Sequence, residues 1–188
     1  ALDDDNGGNS GSAYVYERSN GVWSEQQKLT ASDGGSGDSF GHSVSIDGDT
    51  AVIGAYFKYE NGSNSGSAYV YERSNGVWIE QQKLTASDGE ENDLFGYSVS
   101  IDDNMAVIGA YGDASGSAYV YLRSNGIWTE LQKLTASDGK LDDKFGSNVS
   151  IDGYTTVIGA FADNDNGSRS GSAYVFPLTP PSPPPHQD

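Results

Sequence analysis

The sequence contains no cysteine in its 188 residues, which excludes a disulfide framework and thiol chemistry. Basic residues are scarce: 10 lysines and arginines stand against 27 aspartates and glutamates, for a formal net charge of −17. Such a field repels phosphate backbones and anionic lipid surfaces and favours cations, so nucleic acid is not expected as a partner. No apolar run approaches the roughly 18 residues of a membrane span, and membrane insertion is not expected. No segment shows a convincing helical period. There are two histidines, His42 and His186, too few for a nucleophilic triad or a histidine-based metal centre.

What the sequence does have is one phrase written several times. Gly-Ser-Ala-Tyr-Val-Tyr/Phe begins at Gly11, Gly66, Gly116 and Gly171, at intervals of 55, 50 and 55 residues. Trp23, Trp78 and Trp128 keep the same spacing, as do Phe40-Gly41, Phe95-Gly96 and Phe145-Gly146. A period near fifty residues signals units that cannot bury their apolar faces alone and must stack. Trp to the next Phe is 17 residues in every copy, and Phe to the Gly of Gly-Ala is 14. Only the connection after Gly-Ala varies: nine residues at 57–65 and 162–170 against four at 112–115. Fixed spacing marks packed structure and variable spacing a surface loop.

Each unit reads as four strands, A to D. Ser43-Val44-Ser45-Ile46 alternates in the manner of a strand (A), and Asp47-Gly48 signals a hairpin. Ala51 to Ala55 is a short apolar run suited to burial on both faces (B). Lys58 to Ser65 reads as a polar loop. Gly66 to Arg73 is rich in aromatic and β-branched residues (C), Asn75-Gly76 is a second hairpin signal, and Trp78 to Thr85 follows (D). Small residues in strand B, at Gly54, Gly109 and Gly159 and the alanine after each, suit close backbone approach. Four antiparallel strands per fifty residues is the composition of a propeller blade. The expected fold is all-β, a β-propeller-type array of four-stranded antiparallel blades over residues 1–176.

These residues resemble the FG-GAP repeat family, known from the integrin alpha-subunit propeller. The likeness rests on Phe-Gly at 40, 95 and 145, on Val-Ile-Gly-Ala at 52–55, 107–110 and 157–160, and on the Gly-Ser-Ala-Tyr-Val phrase. The resemblance implies a β-propeller, an extracellular, secreted or cell-surface location, adhesion or ligand binding, and often calcium. Two departures stand out. Tyr56, Tyr111 and Phe161 replace the proline of Gly-Ala-Pro. The A–B connections, Asp47-Gly48-Asp49, Asp102-Asp103-Asn104 and Asp152-Gly153-Tyr154, are too short to wrap an ion that takes six or more oxygens. The usual calcium loop of the family is therefore not carried over.

Strands C and D (11–30) come first, then two full blades (40–85 and 95–135), then A, B and C (145–176): thirteen strands, about three and a quarter blades, against the roughly four to eight typical of propellers. Residues 177–188 form a proline-rich tail expected to be extended. The expectation is that another chain completes the end blades, giving an oligomer, ring or filament; a longer propeller chain is the alternative.

Candidate sites follow from the repeats. Asp3, Asp5 and Gly7, and Asp163, Asp165 and Gly167, spell Asp-x-Asp-x-Gly on the B–C loop, a candidate calcium loop that serves equally as a solvated turn. Asp33/Asp38, Asp88/Asp93 and Asp138/Asp143 recur before each Phe-Gly and read chiefly as turn chemistry and solubility. The three tryptophans read as inter-blade packing rather than sugar platforms. Asn61, Asn148 and Asn166 are candidate glycosylation sequons. Carboxylates that recur with the blades argue against a catalytic centre, which is usually unique. The chain therefore reads as a non-enzymatic extracellular structural or adhesion protein, self-associating or bound to a cell-surface protein or glycan. A lectin-like module is the second reading and a secreted enzyme the third.

Overall fold

The computed structural model describes residues 5–179; Asp3 and the tail from 180 onward lie outside the described residues. Those residues are all-β and contain no helix. Strands β1 (Ala13–Ser19) and β2 (Val22–Leu29) form a two-stranded sheet, C and D of the first blade. β3 (Val44–Asp47), β4 (Thr50–Ala55), β5 (Ser67–Ser74) and β6 (Val77–Leu84) form the second sheet in the order A-B-C-D. β7 (Ser98–Asp102), β8 (Met105–Ala110), β9 (Ser117–Ser124) and β10 (Ile127–Leu134) form the third. β11 (Phe145–Asp152), β12 (Thr155–Ala160) and β13 (Ser172–Pro177) form the last, which has no strand D. Within these sheets every strand pairing is antiparallel between chain neighbours, while single parallel bridges join Gly11 to Phe40, Gly66 to Phe95 and Gly116 to Phe145. The array does not close on itself among the described residues.

The turns follow the local chemistry. The C–D hairpins close on Asn20-Gly21, Asn75-Gly76 and Asn125-Gly126, with positive φ at both residues of each pair, the geometry of a type I′ turn that matches strand twist. The A–B turn lies one residue later than the sequence suggested. Asp47 pairs with Thr50, so Gly48-Asp49 forms the turn.

Strand D carries a bulge. Tyr71 faces Glu80 and Val70 faces Gln82, leaving Gln81 as the extra residue; Gln26 and Leu131 occupy the same place in the other sheets. Residues two apart on a strand normally share a face, but an extra residue between them turns them to opposite faces. Glu80 therefore faces the preceding blade and Gln82 the following one.

Three hydrophobic clusters lie between successive sheets. Between the second and third, Val52, Ala68, Val70 and Leu84 meet Phe95, Ile101, Ile108, Tyr119, Tyr121 and Trp128; the other two junctions repeat the arrangement. Phe40, Phe95 and Phe145 each stand edge-on to the two aromatics of strand C, at 5.5 and 6.1 Å, 5.4 and 6.1 Å, and 5.4 and 5.9 Å. Each blade thus presents a valine face forward and an aromatic face backward.

Two expectations are corrected at the ends. Trp78 and Trp128 are 3% and 2% exposed, as packing residues should be, but Trp23 is 64% exposed because no blade precedes it among the described residues. Strand B is buried on both faces in β4 and β8 but on one face in β12. Val157 and Val175 are 42% and 65% exposed, whereas Val52, Val70, Val107 and Val120 are 0%.

Candidate functional site

The most elaborate chemistry lies where one blade meets the next. Gln27 Nε2 donates to Trp78 O at 2.8 Å, and Trp78 N donates back to Gln27 Oε1 at 2.8 Å. Gln82 and Trp128 repeat this at 2.7 and 2.9 Å. Glu80 accepts from Ser32 N and Oγ at 2.8 and 2.7 Å, and Glu130 from Ser87 N and Oγ at 2.9 and 2.7 Å. Along strand A, Ser45 Oγ accepts from Ile101 N and Ser100 Oγ from Ile151 N, both at 3.1 Å. Asp47 accepts from Asp103 N at 2.8 Å and Asp102 from Gly153 N at 2.6 Å. The junction is therefore a repeated set of polar pairings around an apolar centre.

The recurring aspartates belong to this junction; their buried members have the expected turn role, and their burial corrects the expected solubilising one. Asp38, Asp93 and Asp143 are buried and accept from the backbone N of Gly35, Glu90 and Lys140 at 2.7, 2.7 and 2.6 Å, which fixes the turn ahead of each Phe-Gly. Asp33, Asp88 and Asp138 accept the hydroxyls of Tyr69, Tyr119 and Tyr174 at 2.7, 2.8 and 2.8 Å. Lys58, expected in a polar loop, is buried instead. Its Nζ lies 2.9 Å from Asp38 Oδ2 and 2.6 Å from Asp33 O. Asp113 and Asp163 take its place in the next two units. Lys133 pairs with Asp88 and Asp113 at 2.6 and 2.8 Å. At the last junction Asp143 Oδ1 is buried without a hydrogen-bond partner.

Of the candidate calcium residues, the described ones, Asp5, Asp163 and Asp165, do not converge. Asp5 pairs with Lys28 and Asp165 with Lys140 at 2.6 Å. Asp163 accepts from Asp165 N at 2.9 Å and Tyr174 Oη at 3.2 Å. Among the described residues no three His, Cys, Asp or Glu side chains are placed to hold a metal ion. As placed, this donor set serves lysines and turn amides and does not supply the six or more oxygens of a calcium cage.

These carboxylates make stability depend on pH. Burial pushes the Asp33 carboxyl up, but hydrogen bonds from Lys83 and Tyr69 and the charges of Lys83 and Lys58 outweigh it, so its pKa is lowered. Asp88 is lowered chiefly by the hydrogen bond from Lys133, against burial. Burial raises Asp93, with the Asp113 charge adding to it. A lowered carboxyl contributes stability above its unfolded pKa, about 4 for aspartate, and loses it as pH falls through the folded value. A raised one contributes below the unfolded value and loses it as pH rises through the folded one. The thermal midpoint is therefore expected to fall as pH drops below about 4. Asp88→Asn should flatten that acid limb and Asp93→Asn the opposite slope above it; identical profiles for the three proteins would refute the assignment.

A second feature occupies the end where the D–A and B–C connections meet. His42 lies 4.4 Å from Tyr56 and 4.7 Å from Tyr97, ring centre to ring centre, and Tyr97 lies 4.3 Å from Tyr111. Lys144 Nζ stands 5.6 Å from the Tyr111 ring. The tyrosines that replace the family's proline thus build a half-buried aromatic row. The sequence analysis missed it because its members come from two different turns per blade. Asn61, Asn148 and Asn166 are all exposed, Asn148 on β11 and the others on loops.

A family model described as FG-GAP repeat matches residues 23–71, 78–121 and 128–176, most of the chain. Each matched segment runs from a strand-D tryptophan to the aromatic end of the next strand C, and so spans one junction. No curated protein matches the chain significantly.

Proposed function

The chain belongs to the FG-GAP repeat family, and on that premise we propose that it is an extracellular structural or adhesion protein whose exposed outer blade faces are association surfaces. Its repeats form an integrin-like β-propeller-type module, and the family is typically non-enzymatic. The observation that carries the reading is the pair of open end faces. Trp23 and Tyr16 at one end, and Val157 and Val175 at the other, are exposed in positions whose internal counterparts are buried. Exposed apolar faces rimmed by unsatisfied strand edges are sites of association. Sedimentation at rising concentration tests this: association is expected, and a particle that stays at the 19.8 kDa of a single chain would overturn it.

A lectin-like reading is favoured by the aromatic row of His42, Tyr56, Tyr97 and Tyr111, since aromatic rings offer apolar faces to the apolar faces of sugars. Saturable binding on a glycan array that is lost in Tyr97→Ala would support it. In a secreted setting the exposed Asn61 and Asn166 would be open to glycosylation.

A further inference from the structure

We propose that the aromatic row across the second and third blades is a platform for an uncharged, linear glycan of equatorially linked pyranose rings. This rests on the lectin-like reading and names the class of sugar.

The row repeats with the blades. His42 and Tyr97 each follow a Phe-Gly pair, and Tyr56 and Tyr111 each follow a Gly-Ala pair. Each blade therefore lends one pair of rings, from its D–A and B–C connections, at the same end of the array. The pairs touch across the junction, since Tyr97 lies 4.7 Å from His42 and 5.3 Å from Tyr56. Four rings thus make one continuous surface that runs across the strands. A surface that repeats from unit to unit suits a ligand that also repeats, and a single sugar ring would use only part of it.

The rings are not spent on the fold. The hydroxyls of Tyr69, Tyr71, Tyr119, Tyr121 and Tyr174 on the C strands all donate to an aspartate or a backbone carbonyl. Those of Tyr97 and Tyr111 have no partner among the described residues. Tyr97 stands at 81° to Tyr56 and 80° to Tyr111, and edge-to-face packing does not cover both faces of a ring. All three tyrosines of the row are half-buried. The row therefore offers apolar faces and unengaged hydroxyls side by side. A pyranose presents the matching pair, C–H groups on its faces and hydroxyls around its rim. Equatorial linkage keeps successive faces in one flat ribbon that can lie along the row. Aromatic grooves also take polyproline, but rings in contact at 4.3 to 5.3 Å leave no cleft for a proline ring to enter.

Charge narrows the class. A chain of net charge −17 repels uronic, sulfated and sialylated glycans. The row itself is neutral, because partial burial lowers the His42 pKa from its ordinary value and leaves the imidazole uncharged at pH 7. The cation at its edge, Lys144, is paired with Asp142 at 2.9 Å and stands over Tyr111. The row stops there: the next copy of the Tyr97 position is Ser147, which is buried and donates to Gly159 O at 3.2 Å.

Titration calorimetry of the whole chain with cello- and chito-oligosaccharides of increasing length tests the proposal, with maltohexaose, hexagalacturonate and a decaproline peptide for comparison. At least one of the two series should bind, tightening with length and levelling off at about four units, one for each ring. Tyr97→Ala should weaken binding about tenfold. Tyr97→Phe, which removes only the hydroxyl and should keep the thermal midpoint, should weaken it roughly threefold. Tyr154→Ala, on an exposed tyrosine of an A–B turn at the other end, should leave it unchanged. Affinity that does not grow with length, or that survives both Tyr97 variants, overturns the proposal. So does a preference for decaproline, which would make the row a peptide site. A preference for maltohexaose or hexagalacturonate overturns the class while leaving a lectin, and failure to bind any glycan removes the lectin-like reading as well.

Discussion

Gly109→Ala is expected to destabilise the fold by more than about 4 kcal/mol, beyond the range of most single substitutions. The added Cβ would sit 1.9 Å from Gly146 O and 2.3 Å from Ser98 Oγ. Backbone atoms on one side cannot yield as a side-chain tip can. Ser98 Oγ also donates to Gly146 O at 2.8 Å, so relief on one side compresses the other. Opening the junction would draw Phe145 of the last sheet away from the cluster it shares with Val107 and Val120 of the third. Gly54→Ala should behave alike, with Gly96 O in the same place. Gly159→Ala, measured on dissociated chain, should change stability by less than about 1 kcal/mol, because alanine is better tolerated than glycine in a strand. Urea unfolding of the three variants checks the contrast, and equal losses at all three sites would refute it.

Trp128→Ala is expected to lose about 3–5 kcal/mol, the range for emptying a buried large aromatic site. Its ring belongs to the cluster between the second and third blades with Val52, Val70 and Tyr121. Its backbone is held by Gln82 in both directions, so a collapse of the site would also strain those bonds. Trp23→Ala, at the same repeat position, should change the dissociated chain by less than about 1 kcal/mol, since exposed residues away from special features rarely exceed that. Thermal unfolding at low protein concentration separates the two; a comparable loss at Trp23 would mean that its face is covered within one chain.

The thirteen strands, their four-per-unit order and the Asn-Gly hairpins were legible because each rests on local chemistry: a period, an alternation, a dipeptide that accepts positive φ. The junction was less legible. Ser39, Leu94 and Lys144 precede the Phe-Gly pairs at φ of 58, 60 and 65, a left-handed conformation that none of these side chains favours. Nothing local announces it; the hydrogen bonds from Phe40, Phe95 and Phe145 N to Ser10, Ser65 and Ser115 O impose it from the neighbouring turn. Lys58 read as a loop residue because a buried lysine depends on carboxylates 20 and 25 positions away. The bulge at Gln26, Gln81 and Leu131 carries no signature residue, so the opposite roles of the flanking Glu and Gln could not be read off their spacing of two. The exposed condition of Trp23 depends on a missing neighbour rather than on its own sequence, which is that of Trp78.

The extra residue in strand D has a consequence for how such a chain can change over generations. By turning Glu backward and Gln forward, it gives every unit the same socket on one side and the same plug on the other. Any unit can then follow any other without a compensating substitution. Whole units can be duplicated, deleted or shuffled between genes while every contact is preserved, whereas a change of one residue between Trp and the next Phe would spoil two units at once. The B–C loop meets this coupling through residues near its two ends, such as Lys58 and Ser65, and it is the one connection whose length differs, nine residues at 57–65 against four at 112–115.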